Sequence, residues 1–454
     1  MSGGEKQLNR IDMLNGGLFK KLLLFALPIA ASSMLQQLFN AVDVAVVGLF
    51  ADSKAQAAVG CNGPVINLII NLLVGISVGT NVVIALYVGQ KEHKKIHSAV
   101  QTSMLMAVIG GIALLVIGLF VARPLLILME TPADVLEYAV LYLNIYFLGM
   151  PFIMVYNFGA AILRSIGDTK RPLYCLVISG LVNTGLNLFF VIVCHMGVAG
   201  VAIATVISNV ISAAMVWLFL AREKWPVRLV IKELAISKKE FAHILRIGVP
   251  AGLQGMVFSV ANVFIQAALN GYGSDAVAGS AVALNYEYFT YFILNAFSQA
   301  AVTFMSQNFG AQQYGRCKKI FSLCMIMSTV LTGAMSLGFL AAKPFFISLF
   351  TADSAVAAFA AVRMSRVLTL NFVAGSYEIG AAALRGVGYS MTPAVLTVFG
   401  TCVFRLLWVY LVCPIYPGFG TLLDVYPISW VITGAAVLAA YFIVGRKVYR
   451  TTEA

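Results

Sequence analysis

Charge is the scarcest property of this chain. Lysine, arginine, aspartate and glutamate make up only 11% of its 454 residues, where a soluble domain carries about a quarter. So few charges cannot clothe an ordinary water-soluble enzyme, and that class is excluded first. Acid is the rarer sign, 18 residues against 30 basic ones, for a net charge of +12. Such an excess suggests nucleic acid until the basic residues are located. They sit in short segments between apolar runs, as topology determinants facing anionic lipid do, so no nucleic-acid partner is expected. The seven cysteines (Cys61, Cys175, Cys194, Cys317, Cys324, Cys402, Cys413) form no C-x-x-C pair and no metal spacing with the four histidines. They read as small buried hydrophobes. The sequence is read as holding no GxxxxGK[ST] loop, no HExxH helix, no nucleophile elbow and no aspartate-rich diphosphate motif. ATP-driven and hydrolytic chemistry therefore lack support, no cofactor is implied, and the chain is not expected to be an enzyme. The first 21 residues hold Lys6, Arg10, Lys20 and Lys21 but no apolar core. A cleavable signal is not expected, and the first helix should insert uncleaved.

What the chain does have is apolar length. Of its residues 61% are apolar and its mean hydropathy is +0.92. Thirteen prolines and 39 glycines suit helices in lipid, where both are tolerated. A crossing helix needs about 20 apolar residues, and the runs between charges predict twelve. They fall near 22–50, 56–88, 97–121, 135–163, 172–194 and 197–220, then 244–272, 276–308, 318–341, 355–384, 393–414 and 425–445. The expected fold is all-α and polytopic. Its domains are an amino-terminal lobe over 1–221, a polar linker over 222–243 and a carboxy-terminal lobe over 244–454.

The two halves repeat. Gly159-Ala-Ala-Ile-Leu-Arg-Ser-Ile-Gly-Asp-Thr-Lys-Arg-Pro172 returns as Gly380-Ala-Ala-Ala-Leu-Arg-Gly-Val-Gly-Tyr-Ser-Met-Thr-Pro393. Pro28 and Asn40 match Pro250 and Asn262, and Ala122-Arg123-Pro124 matches Ala342-Lys343-Pro344. Six spans per half is an even number, so both copies insert the same way up. The termini and even-numbered loops hold 24 of the 30 basic residues. By the positive-inside rule both termini and the linker Arg222–Arg246 face the cytoplasm. The linker's basic run reads as a topology anchor or as a regulatory lipid or partner site.

Three acids fall inside spans: Asp43, Glu287 and Glu378. A charge at the bilayer centre costs roughly 2.5–3.5 kcal/mol, so each should face a cavity or a partner. Gln36, Asn40 and Asp43 share one face of the first span, and Gln254, Asn262 and Gln266 the equivalent face of the seventh. Glu287, Tyr291, Asn295 and Ser298 form a third stripe. Such stripes either join helices or wet a pathway. The acids favour function, because glutamine would pack as well at lower cost. Tyr286, Tyr288, Phe289, Tyr291 and Phe292 crowd the same region and suit either core packing or a flat organic cation. Arg363 and Arg366 should snorkel outward, while Arg405 could neutralise Glu378. His195 reads as interface packing.

These residues resemble the multidrug and toxic compound extrusion (MATE) transporters over the whole chain, and among them bacterial members of the MepA and DinF type. The resemblance is carried by Gln36-Gln-Leu-Phe-Asn-Ala-Val-Asp43 with Val47-Gly48, by both Leu-Arg-Ser/Gly-x-Gly segments, by Met196-Gly-Val-Ala-Gly-Val-Ala-Ile-Ala-Thr205 and by Gln307-Asn-Phe-Gly-Ala311. It implies two pseudo-symmetric six-helix lobes in a V. It also implies a monomer in the bacterial plasma membrane that exports organic, mainly cationic drugs in exchange for protons or sodium ions. The family's cation site carries over onto Asp43, Asn183, Asn187 and Thr205, with Asn187 standing where a second aspartate is frequent. One carboxylate with amide and hydroxyl oxygens could hold a sodium ion at Asp43, or Asp43 could take up a proton, which is the favoured reading. The cavity residues expected from the stripes are Gln36, Asn40, Gln254, Asn262, Gln266, Glu287, Tyr291, Asn295 and Glu378. If the lobes rock, the linker must stay slack. The alternative is a flippase for lipid-linked oligosaccharide or peptidoglycan precursors, whose cavity should be cationic.

Overall fold

The computed structural model describes residues 10–50, 53–129 and 131–450, and among these it is helical with no strand. Lys6 lies outside them. Among the described residues ten helices are long and apolar enough to cross a bilayer, from Leu18–Phe50 to Phe419–Tyr449. The fourth expected span is a pair, Ala133–Leu148 and Met150–Ser165, bent by 48°. The break falls at Gly149, two residues before Pro151; proline removes an amide donor and disfavours helix in the residue before it. The eighth expected span is the helix Ser274–Gly310, 37 residues long. Its polar stripe keeps it out of the group that composition alone would pass as spans. Together these helices fill the places of the twelve expected crossings.

The chain divides into two compact units. The first comprises Ala31–Leu245 with the described part of Met1–Asp12, and the second Met13–Ala30 with the described part of Arg246–Ala454. The chain thus passes from one unit to the other three times, once between Asp12 and Met13 and twice inside continuous helices, Leu18–Phe50 and Lys238–Asn270. Each carries a proline near the passage, Pro28 and Pro250. Within the second unit Met13, Leu22 and Phe25 are fully buried. Phe25 meets Phe304 edge to face at 5.4 Å, and the Met13 carbonyl accepts hydrogen bonds from Asn308 and Arg316, both at 3.1 Å.

The repeated Leu-Arg-x-x-Gly segment has a local physical cause. In the first unit Asp168 N donates to Leu163 O at 3.0 Å and Gly167 N to Arg164 O at 2.9 Å. In the second, Tyr389 N donates to Leu384 O and Gly388 N to Arg385 O, both at 2.9 Å. This is the paired bonding of a Schellman helix end, which requires a left-handed residue. Gly167 and Gly388 supply it, with φ of 90° and 92°. Their surroundings differ. A Cβ on Gly167 would lie 2.5 Å from the Ile11 carbonyl oxygen, whereas one on Gly388 would meet nothing within 4 Å. Gly388→Ala should therefore lose about 1–2 kcal/mol from the left-handed backbone alone. Gly167→Ala should lose more, because Ile11 must also move. Thermal midpoints of the two variants in detergent check the order.

The linker is not slack. Its backbone is bound to the third helix, His93–Leu128. Gln101 donates to the Arg228 carbonyl at 3.0 Å, and Thr102 donates to Ala235 O at 3.2 Å while accepting from Ser237 N at 3.1 Å. His97 lies 3.2 Å from Pro226 O and 2.6 Å from the Glu233 carboxylate. Tyr87 donates to the buried carboxylate of Glu240 at 2.6 Å. Val227 and Leu229 turn inward and are buried, so alternation in an otherwise polar stretch is what anchors it. The letters of a GxSxG motif do occur, at Gly75-Ile-Ser-Val-Gly79. They lie inside the unbroken helix Ser53–Gln90, where Ser77 donates to Val74 O at 2.7 Å. That is no strand-to-helix elbow.

Candidate functional site

In the first unit the site begins with a glycine. A Cβ on Gly180 would stand 1.9 Å from the Phe39 ring, so only glycine lets the helix Lys170–Val193 approach the first helix this closely. Asp43 follows Phe39 by one turn, and Asn183 and Asn187 follow Gly180 on the matching face. All four residues expected at a cation site come together. Asn187 Nδ2 donates to Asp43 Oδ1 and, at 3.2 Å, to Asn183 Oδ1. Asn183 Nδ2 reaches Thr205 Oγ1 at 3.4 Å, and Thr205 donates to Val201 O at 3.0 Å. Asn187 is wholly buried, yet its Oδ1 accepts no hydrogen bond. A buried acceptor left over beside a carboxylate is a place for a cation or for an acidic proton.

Tyr142 and Tyr146 were not anticipated. Their rings stack at 6.2 Å, both are buried, and both lie within electrostatic range of Asp43. Their spacing of one helical turn, opposite a lone intramembrane acid, was the available signal. Gln36 and Asn40 continue the Asp43 stripe as exposed side chains. The helix carrying Asn187 passes directly into a π-helical turn, Phe189–Val193; such turns recur at functional sites. Among the described residues no three His, Cys, Asp or Glu side chains gather to hold a metal. The oxygens at hand belong to one carboxylate, two amides and a hydroxyl.

The second unit arranges its charges differently from the sequence expectation. Glu287 accepts two hydrogen bonds from Arg363, Nε at 2.7 Å and Nη2 at 2.9 Å. Arg363 is only 2% exposed, so it does not snorkel; the opposite charge next to it makes burial tolerable. Arg366 bonds both oxygens of Asp424 at 3.0 Å. Arg405 is 1% exposed and does not neutralise Glu378. Its guanidinium bonds Ser429 Oγ at 3.2 Å and Asn262 Oδ1 at 3.4 Å, and stacks over Tyr426 and Phe258 at 4.6 and 5.1 Å. The basic group acting on Glu378 is Arg385, which also bonds Gln254 Oε1 at 2.6 Å.

The remaining expected cavity residues divide. Gln266 bonds Asn270 at 2.9 Å and is exposed. Tyr291 is 42% exposed. Ser298 donates to the Glu378 carbonyl at 3.5 Å. Tyr286 is core: it donates to Phe346 O at 2.7 Å and packs among Phe339, Phe346 and Phe350. Tyr288 stacks on Phe292 at 6.1 Å and stays exposed.

The MatE family model matches the chain twice, over residues 28–189 and 250–411. Among curated proteins the chain is similar to the probable multidrug resistance protein YoeA of Bacillus subtilis, 26% identical over 84% of each chain. It is also similar to the multidrug export protein MepA of Staphylococcus aureus, 22% identical over 86% of this chain and 87% of that one. Among solved structures it superposes on a MATE protein in its bent conformation with a TM-score of 0.89, at 21% identity over 96% and 97% of the chains. An outward-facing multidrug resistance MATE transporter gives a TM-score of 0.88, at 22% identity over 97% and 98%.

Proposed function

The chain belongs to the MatE family, and from that premise we propose that it is a secondary active antiporter exporting organic, mainly cationic compounds in exchange for protons. Two of its relatives bear names that speak of multidrug resistance and multidrug export, which supports a small-molecule substrate. The observation that carries the coupling is the relay Asp43–Asn187–Asn183–Thr205, with its unsatisfied Asn187 oxygen. A single carboxylate among neutral oxygens exchanges one proton without needing a second acid. A sodium ion would draw on the same oxygens but gains from added negative charge. The protein would act as a monomer by alternating access in the bacterial plasma membrane, with both termini and the linker on the cytoplasmic side. Glu287, already neutralised by Arg363, leaves Glu378, Tyr291 and Asn295 as the stronger candidates for meeting substrate in the second unit.

Dye accumulation in inverted vesicles tests the reading. A pH gradient imposed in sodium-free buffer should drive accumulation, and a protonophore should abolish it. Drive by sodium alone would overturn the choice of ion. Failure to move any cationic dye under either gradient would overturn the export of cations.

A further inference from the structure

The segment that joins the two halves does more than connect them. Residues 221–225 with Arg228, Val230, Glu233 and His97 of the first unit line a cleft of about 730 Å³. Arg222, Lys224, Trp225 and Arg228 all stand exposed around it. The two acids in its wall are already engaged. Glu223 accepts from Arg10 and, at 2.5 Å, from Arg171; Glu233 is held by His97. Among the described residues neither Arg222 nor Arg228 has a carboxylate partner. Nor can these cations readily separate. The Gln101 bond to the Arg228 carbonyl fixes one position, and the bonds from Leu229 N to Leu220 O and from Val227 N to Lys224 O close the turn that carries the others. Arg222 and Arg228, held around one cleft whose Glu223 is engaged by two other arginines and whose Glu233 is hydrogen-bonded to His97, form a preorganised positive site whose repulsion an incoming anion relieves.

The neighbours of these cations indicate the kind of anion. Trp225 is 59% exposed and Ile231 68%, on the same strap as the arginines. An indole and an aliphatic side chain beside unpaired guanidiniums match the boundary of a bilayer, where rings sit among headgroups and arginine pairs with phosphate. We propose that this cleft binds a phosphate ester, presented by the headgroup of an anionic phospholipid, with Arg222 and Arg228 on the phosphate and Trp225 at the acyl boundary. The occupied cleft ties the strap to the membrane surface as well as to the third helix. This inference does not depend on the transported substrate or on the coupling ion.

The test uses the full chain in nanodiscs of phosphatidylcholine with and without phosphatidylglycerol, with retained lipid read by native mass spectrometry. Arg222→Gln/Arg228→Gln should retain phosphatidylglycerol roughly 30-fold more weakly than the unaltered protein, from two lost surface cations. Arg222→Lys/Arg228→Lys should keep most of the retention. Both side chains are exposed and no described hydrogen bond uses them, so thermal midpoints in phosphatidylcholine alone should match. In detergent, glycerol 3-phosphate supplies the same group without the acyl chains. Equal protection by it would support the site with a soluble phosphate ester as occupant. Equal retention of phosphatidylglycerol by the unaltered and glutamine proteins, or no protection by either phosphate ester, would overturn the proposal.

Discussion

Asp43→Asn protein is expected to insert, fold and still bind dye, yet to accumulate dye in proteoliposomes no faster than empty vesicles do. The substitution keeps the size of the side chain and a partner for Asn187, so the packing around Gly180 and Phe39 should survive. What disappears is the one group in the relay that can gain and lose a proton. A ligand that no longer distinguishes the two states of a transporter cannot drive the exchange between them. Transport at the unaltered rate would remove Asp43 from the mechanism. The converse substitution probes ion choice. Asn187→Asp puts a second carboxylate where the buried Asn187 oxygen now lacks a donor, and should make transport sodium-sensitive. An unchanged response to sodium would mean that Asn187 serves packing alone.

The second large effect concerns Glu287, and it is expected in folding rather than in substrate choice. Glu287→Gln leaves the guanidinium of Arg363 buried beside Tyr426 without its counter-charge. Breaking a buried pair from one side destabilises by about 3–5 kcal/mol, whereas replacing both partners is far milder. Yield and thermal midpoint should fall sharply in Glu287→Gln and largely recover in Glu287→Gln/Arg363→Met. If instead the single variant folds normally and loses only cationic substrates, Glu287 meets substrate and the pair is incidental.

The parts of this molecule that were legible in its sequence are those set by composition and local geometry. Helix positions follow from apolar length, and the repeated Leu-Arg-x-x-Gly from a backbone that needs φ near 90°. Asp43 was marked by being an acid inside an apolar span, but only the family resemblance set Asn183, Asn187 and Thr205 beside it. Pairings between distant basic and acidic residues were not legible. Arg363 and Glu287 are 76 positions apart, and nothing local distinguishes an arginine that will snorkel from one that will be buried. The same holds for Arg405, which three neutral groups and a phenylalanine accommodate where an acid was expected. The linker misled for a different reason. Slackness was required of it by the expected rocking of the lobes, while two buried aliphatic residues and a few backbone bonds hold it in place.

The exchange of Met13–Ala30 into the second unit bears on how such a chain can be divided or can have arisen. A fragment covering only the second half would lack Met13, Leu22 and Phe25, all fully buried there, and would uncover Phe304 and Asn308, which Phe25 and Met13 contact. A fragment covering only the first half would carry an orphaned helical arm. A cut within the strap would therefore leave the second piece without part of its interior and the first with an arm that has nothing to fill. A half-length ancestor folded with the same exchange would have completed itself only by lending its first helix to a second copy, and gene duplication would then have joined two subunits that were already interlocked.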